Sequence, residues 1–203
     1  KEKFIQRVKK FLGSKTFLIK SNKLFIEMPV LLSASAVQLS FGLDKYLLPH
    51  YEYIRIFQKE YLTKDKERVL LGHVGGNTIT IAWNHFLEGQ EEAADGVNLG
   101  LHEMAHALYF QLTEATFGRC DEFAANFKVL MQEGKEVYQL KDNIPSSLFN
   151  ENAYRNLQEF WAESVELFFE RPSELKRENA ELYEALKDIL NQDPVHELYP
   201  VVN

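Results

Sequence analysis

The run from Asn98 to Gln111, NLGLHEMAHALYFQ, constrains this chain more than any other stretch. It contains His102-Glu103-Met104-Ala105-His106, two imidazoles four residues apart with a carboxylate directly after the first. On a helix that spacing is about one turn, so both rings stand on one face and can grip a single zinc ion. Zinc held in this way keeps one position for water and lowers that water's pKa to about 7, with Glu103 placed beside it as general base. The flanks read as helix: Leu99, Leu101, Met104, Ala105, Leu108 and Tyr109 recur at helical spacing, no proline interrupts, and Asp95 or Asn98 can cap the start. The motif is expected on a half-buried helix.

The chain has 203 residues, enough for one domain with a sizeable core, and we expect a single domain over residues 1–203. Apolar residues make up 45% and aromatic residues 13%, which excludes a disordered chain. A net charge of -7 and a pI near 5.4 argue against a nucleic-acid surface and leave peptides and other small substrates open. A single cysteine, Cys120, cannot form an internal disulfide, so a reducing compartment is permitted and a cytoplasmic location is expected. No run reaches the roughly 18 to 20 apolar residues of a membrane span. The most apolar stretch, Pro29 to Leu43, carries Ser33, Ser35, Gln38 and Ser40 and reads as a buried helix. The chain opens on Lys1 and not on Met, which leads us to expect that something upstream has been removed, with a signal or an anchor left open.

In chain order, Lys1 to Leu12 sets Phe4, Ile5, Val8, Phe11 and Leu12 on one face of a basic amphipathic helix, short enough that packing on the domain is favoured over a membrane surface. Phe17 to Ile19 and Leu24 to Glu27 are extended candidates, and Tyr53 to Phe57 is a strand rich in aromatic and branched residues. Gly75-Gly76-Asn77 is a turn ahead of a strand from Thr78 to Trp83, which as an edge beside the motif helix would align an extended substrate by backbone hydrogen bonds. An amphipathic segment from Glu114 to Gln132 and a polar connection with Pro145, Ser146 and Ser147 follow the motif. Asn150 to Glu170 reads as a core helix stopping at Pro172, and Ser173 to Asn191 as a further amphipathic helix.

Catalytic zinc usually takes three protein ligands, so a third must come from elsewhere. The Asn150 to Glu170 stretch offers Glu151, Glu159, Glu163, Glu166 and Glu170. Glu159 and Glu163 lie four apart beside large aromatic residues, where an ionised carboxylate is costly unless a cation receives it. The residues alone leave the choice open.

Gly76 to Trp83, the run NLGLHEMAHALYF, the run LQEFWAESVELFFERP and the late Gln192-Asp193-Pro194, in that order, resemble the Mlc titration factor A family of zinc peptidases. Its members show a strand ending in tryptophan, an N-x-x-x-H-E-F-A-H-x-L helix and a later A-E-F-F-A-x-x-S-E-x-F-F-E-x-P helix, matched here by Trp83, Asn98 to Leu108 and Glu159 to Pro172. The similarity covers most of the chain after about Pro29. It implies an α+β, zincin-like metallopeptidase domain, mostly helical with a small sheet beside the HExxH helix. It also implies one zinc per chain on His102, His106 and Glu159, with Glu103 as the catalytic glutamate. The interval from His106 to Glu159, 159 - 106 = 53 residues, is shorter than the family's, so the connection is trimmed. The resembled sites carry a tyrosine seven residues before the ligand glutamate, which stabilises charge on the substrate oxygen. Here that position is Asn152, and either a two-residue deletion lets Tyr154, five residues before Glu159, serve as the catalytic candidate, or the role is lost or filled by another donor. Glu163, by the spacing of other zincins, or Glu166, by the family's, would orient a histidine through its free ring nitrogen. His50, His73, His85 and His196 have no such spacing.

The resemblance implies aminopeptidase-like action on short peptides. The rival is a regulatory protein-binding module on the same fold that sequesters a transcriptional regulator, for which the resembled family is named, with weak or no hydrolysis.

Overall fold

The computed structural model describes residues 1–20, 25–63, 68–92, 94–113, 128, 130, 132 and 148–198. Helix α1, Glu2–Gly13, turns Val8 and Phe11 inward, and Arg7 donates to the carbonyls of Phe41 at 2.6 Å and Leu43 at 2.8 Å. Those carbonyls follow the end of α2, Glu27–Ser40, where no further turn exists to receive an N–H. The basic amphipathic helix thus packs on α2, as its length led us to expect.

Strand β1, Thr16–Lys20, pairs in parallel with β2, Tyr53–Phe57, and β2 pairs in parallel with β6, Thr78–Ala82. The order of the four-stranded sheet is completed by β5, Gly72–Gly75, antiparallel to β6 across a turn in which Gly76 takes a φ of 57°. Ile54 and Ile56 face Ile79 and Ile81 across the ladder, and all four are fully buried. A short ribbon of β3, Tyr61–Leu62, and β4, Val69–Leu70, runs into β5. The expected strand from Thr78 to Trp83 is real but internal: it lies between β2 and β5, so the edge on its side of the sheet is β5. Trp83 does not end a strand either; it begins α3, Trp83–Glu91, where its ring stacks on Phe86 at 5.1 Å.

Helix α4, Leu99–Thr113, carries the histidine motif and buries Leu101, Met104, Ala105 and Leu108. It packs against α5, Leu157–Glu170, and the Trp161 indole of α5 donates to the Ala105 carbonyl at 2.7 Å, pinning the two helices together in the middle of the motif. Beyond it come α6, Pro172–Glu178, α7, Ala180–Leu190, and α8, Pro194–Leu198.

Several expected boundaries move. Glu27 opens α2 and is not extended. The Asn150 to Glu170 helix is a 3-10 turn, Glu151–Tyr154, followed by α5, because the Asn156 side chain accepts from the N–H groups of Gln158 and Glu159 and restarts the helix. Ser173 to Asn191 divides for the same reason: Asn179 is extended and caps α7 through Leu182 N–H. Leu24, the segment from Glu114 to Gln132 apart from Lys128, Leu130 and Gln132, Cys120, and Pro145 to Ser147 lie outside the described residues. Among the described residues, no helix is long and apolar enough to cross a membrane.

Candidate metal centre

The start of α4 is set by Asn98, whose Oδ1 accepts from the Leu101 N–H at 3.0 Å, while Asp95 closes a tighter turn by accepting from Val97 at 2.8 Å. From that cap the helix delivers His102 and His106 to a cleft of about 740 Å³. Their Nε2 atoms lie 3.1 Å apart. Helix α5 brings Glu159 to the same point, with Oε2 at 3.3 Å from His102 Nε2 and Oε1 at 3.6 Å from His106 Nε2. Four donors at tetrahedral corners around bonds of about 2.0–2.1 Å are about 3.3–3.4 Å apart, and these separations, measured to the two oxygens of one carboxylate, lie close to that spacing. His102, His106 and Glu159 together could hold a metal ion.

The electrostatics favour a cation there. Burial alone would lower the proton affinity of His102, yet hydrogen bonds to Glu159 and Glu166, with the charges of Glu166 and Glu103, raise its pKa well above that of an ordinary histidine. The same two imidazoles hold the Glu159 carboxyl far below the usual range through hydrogen bonds from His102 and His106. Burial pushes the Glu103 carboxyl up to about 8, with Glu159 and Glu166 adding to it against His102. Glu103 is only 5% exposed, and its Oε2 has no hydrogen-bond partner among the described residues. A buried carboxylate oxygen left bare is costly unless positive charge or a reacting group meets it.

Glu166 supplies the histidine-orienting contact: its Oε1 lies 2.6 Å from His102 Nδ1. With Nδ1–H donating to that carboxylate, Nε2 is the ring nitrogen turned to the cleft, where a metal would take the place of the proton shared with Glu159. Glu163, the other candidate for that contact, is also buried at the cleft, and burial with the charge of Glu166 pushes its carboxyl up to about 7.

The structure does not bring Tyr154 to this point. Its ring packs against the core and its hydroxyl is buried without a hydrogen-bond partner among the described residues, while Asn152 and Arg155 of the same turn line the cleft. Three further features of the cleft carry no spacing signal in the sequence. Gly72 of β5 lies so close to Glu103 that a Cβ there would stand 2.2 Å from Oε1. His73 and His85 line the cleft, His85 between Glu88 at 2.6 Å and Glu60 at 3.4 Å. The wall formed by the end of α3 carries Glu88, Glu91, Glu92 and Asp95. These acids lie on and just past α3, outside the motif helix, so helical spacing from the motif gives no signal of them.

A helix presenting HExxH, a carboxylate arriving from a second helix and a sheet edge along the cleft define a metallopeptidase-like α+β domain. The model of the glucose-regulated metallo-peptidase M90 family matches residues 1–190, and the chain belongs to that family, which includes Mlc titration factor A. A protein of Synechocystis sp. described as uncharacterized is similar to it at 23% identity over 210 residues, covering 95% of this chain and 74% of its own.

Proposed function

We propose that this protein is a zinc-dependent, zincin-like metallopeptidase with aminopeptidase-like action. The observation that carries the reading is that two imidazole nitrogens and the two oxygens of one carboxylate approach within 3.1–3.6 Å, beside a buried glutamate oxygen with no hydrogen-bond partner among the described residues. Two imidazoles and one carboxylate are a donor set suited to catalytic zinc. When bound, the ion would polarise a peptide carbonyl and acidify a water molecule.

The chain's own groups do the rest. Glu103 takes a proton from the water as its oxygen bonds to the peptide carbon, then delivers that proton to the amide nitrogen as the carbon–nitrogen bond breaks, leaving a carboxylic acid and an amine. Positive charge brought to His102 and Glu159 would offset the burial, and the lesser like charges, that hold its carboxyl high, so Glu103 can start as carboxylate at neutral pH. The edge strand β5 is placed to align an extended peptide along the cleft by main-chain pairing. Charge developing on the carbonyl oxygen is assigned to donors of the opposite wall, the Asn152 amide and the Arg155 guanidinium. The acidic wall of Glu88, Glu91, Glu92 and Asp95 suits the ammonium of a free peptide N-terminus.

A panel of chromogenic aminoacyl anilides, with and without chelator, tests this. Hydrolysis should disappear on chelation and return with zinc. Glu103→Gln should keep its zinc and lose about 10²–10⁴-fold in turnover, the usual contribution of a general base. An inactive wild-type protein that holds zinc and binds a transcriptional regulator would favour the sequestering role instead. Full turnover by Glu103→Gln would reject the mechanism.

A further inference from the structure

The loop from Asp95 to Asn98 is tied to α5 by two carboxylates one turn apart. Asn98 stands at the junction of three helices. Besides capping α4, its Nδ2 donates to the Gly89 carbonyl of α3 at 3.0 Å and to Glu170 Oε1 of α5 at 2.9 Å, and its backbone N–H donates to Glu166 Oε2. Glu170 accepts a second bond on Oε2, from the Gly96 N–H at 3.0 Å. Gly96 itself takes a φ of 83°, and a Cβ there would stand 3.0 Å from Leu167 Cδ2, so the loop lies flat on α5 in a conformation suited to glycine.

Glu166 is the link between this junction and the metal centre. One of its oxygens meets His102 Nδ1 at 2.6 Å and the other meets Asn98 N–H. A carboxylate held by a histidine alone can rotate about its last torsion and take the ring with it. Held at both oxygens, it has a fixed plane, provided that the Asn98 backbone is itself fixed. The bonds from the Asn98 amide to Gly89 and Glu170 supply that condition.

We propose that Asn98 and Glu170 are positioning residues for metal binding, which act by fixing the Glu166 carboxylate and through it the orientation and tautomer of His102. This rests on the reading of His102 as a metal ligand. Neither residue touches the metal position or a substrate.

The test is zinc affinity of the full chain, stripped of metal and titrated against a chromophoric chelator, with the visible spectrum of the cobalt-loaded protein as a second readout. Asn98→Ser keeps an oxygen acceptor for the Leu101 N–H and keeps the backbone donor to Glu166, but removes the amide donors. It should weaken zinc binding about 10-fold, toward the low end of what loss of a partner behind a ligand costs, and should shift the cobalt bands. Glu170→Ala should do the same from the other side of the contact. In a Glu166→Ala background neither change should weaken zinc further, because the connection is already cut. Wild-type zinc affinity and an unchanged cobalt spectrum in both single variants, whatever their melting temperatures, would overturn the proposal and leave a purely structural loop contact. Losses that add fully to that of Glu166→Ala would overturn it as well. A wild-type chain that takes up no zinc would instead overturn the metal reading, and this inference with it.

Discussion

Glu103 depends on what its neighbour lacks. Gly72 has no side chain, and the carboxylate of Glu103 fills the space where one would be. Gly72→Val should therefore push the base out of place, lowering kcat by about 10²-fold or more while zinc content stays near one per chain, since the atoms nearest that position belong to Glu103 and not to a candidate ligand. Steady-state kinetics with metal analysis checks this; unchanged kcat would show that Glu103 has room elsewhere. Tyr154 gives the opposite expectation. Its hydroxyl is buried with no hydrogen-bond partner among the described residues, so Tyr154→Phe should leave activity within about twofold and leave stability equal or raise it by about 1 kcal/mol. A hundredfold loss of kcat in that variant would return the tyrosine to the reaction.

At the scale of elements, the restart of α5 matters most. Asn156 holds the N–H groups of Gln158 and Glu159 at 2.9 and 3.0 Å, so the cap that begins the helix also fixes the backbone of the third candidate ligand. Asn156→Ala should cost about 1 kcal/mol of stability, the usual value of a lost cap, and weaken zinc binding as well. Denaturant unfolding of the metal-free protein and chelator competition measure the two effects separately; a stability loss with unaltered zinc affinity would mean that packing of Trp161 on α4 suffices to place Glu159. The same side-chain chemistry at Asn98 and Asn179 starts α4 and α7. Three helices thus begin on asparagine. In the sequence, only the one before the motif was singled out as a cap, because the other two lie within stretches of continuous helical periodicity.

For the molecule as a whole, the cluster of acids around the cleft shapes how stability depends on pH. Burial pushes the carboxyls of Glu163 and Glu170 up to about 7 from an ordinary 4.5. A carboxyl raised in the fold stabilises it fully below the ordinary value and loses that contribution as pH rises through the folded value. His102, raised among carboxylates, works in the same direction, its contribution present below 6.5 and lost at higher pH. The metal-free protein should therefore melt at higher temperature near about pH 5.5 than near about pH 8, and Glu170→Gln should narrow the difference. Thermal denaturation in chelator at the two pH values decides the matter, and a melting temperature that rises across this window in the wild-type chain would contradict it.

Local chemistry was legible in the sequence. The spacing of His102 and His106, the helical periodicity around them, the glycine turn before β6 and the aromatic and branched run of β2 all depend on contacts within a few residues and appear where the pattern puts them, although α4, expected to be half-buried, has no exposed residue. The tertiary structure decided whatever depends on which distant surfaces meet. It brought Glu159 of five helical acids to the two imidazoles, set Glu166 against His102 Nδ1, turned the tyrosine hydroxyl inward and made β5 the edge in place of β6. The physical reason is that a side chain's role here depends on the faces of two helices and a sheet pressed together over tens of residues of separation, while periodicity reports only the face a residue occupies on its own element.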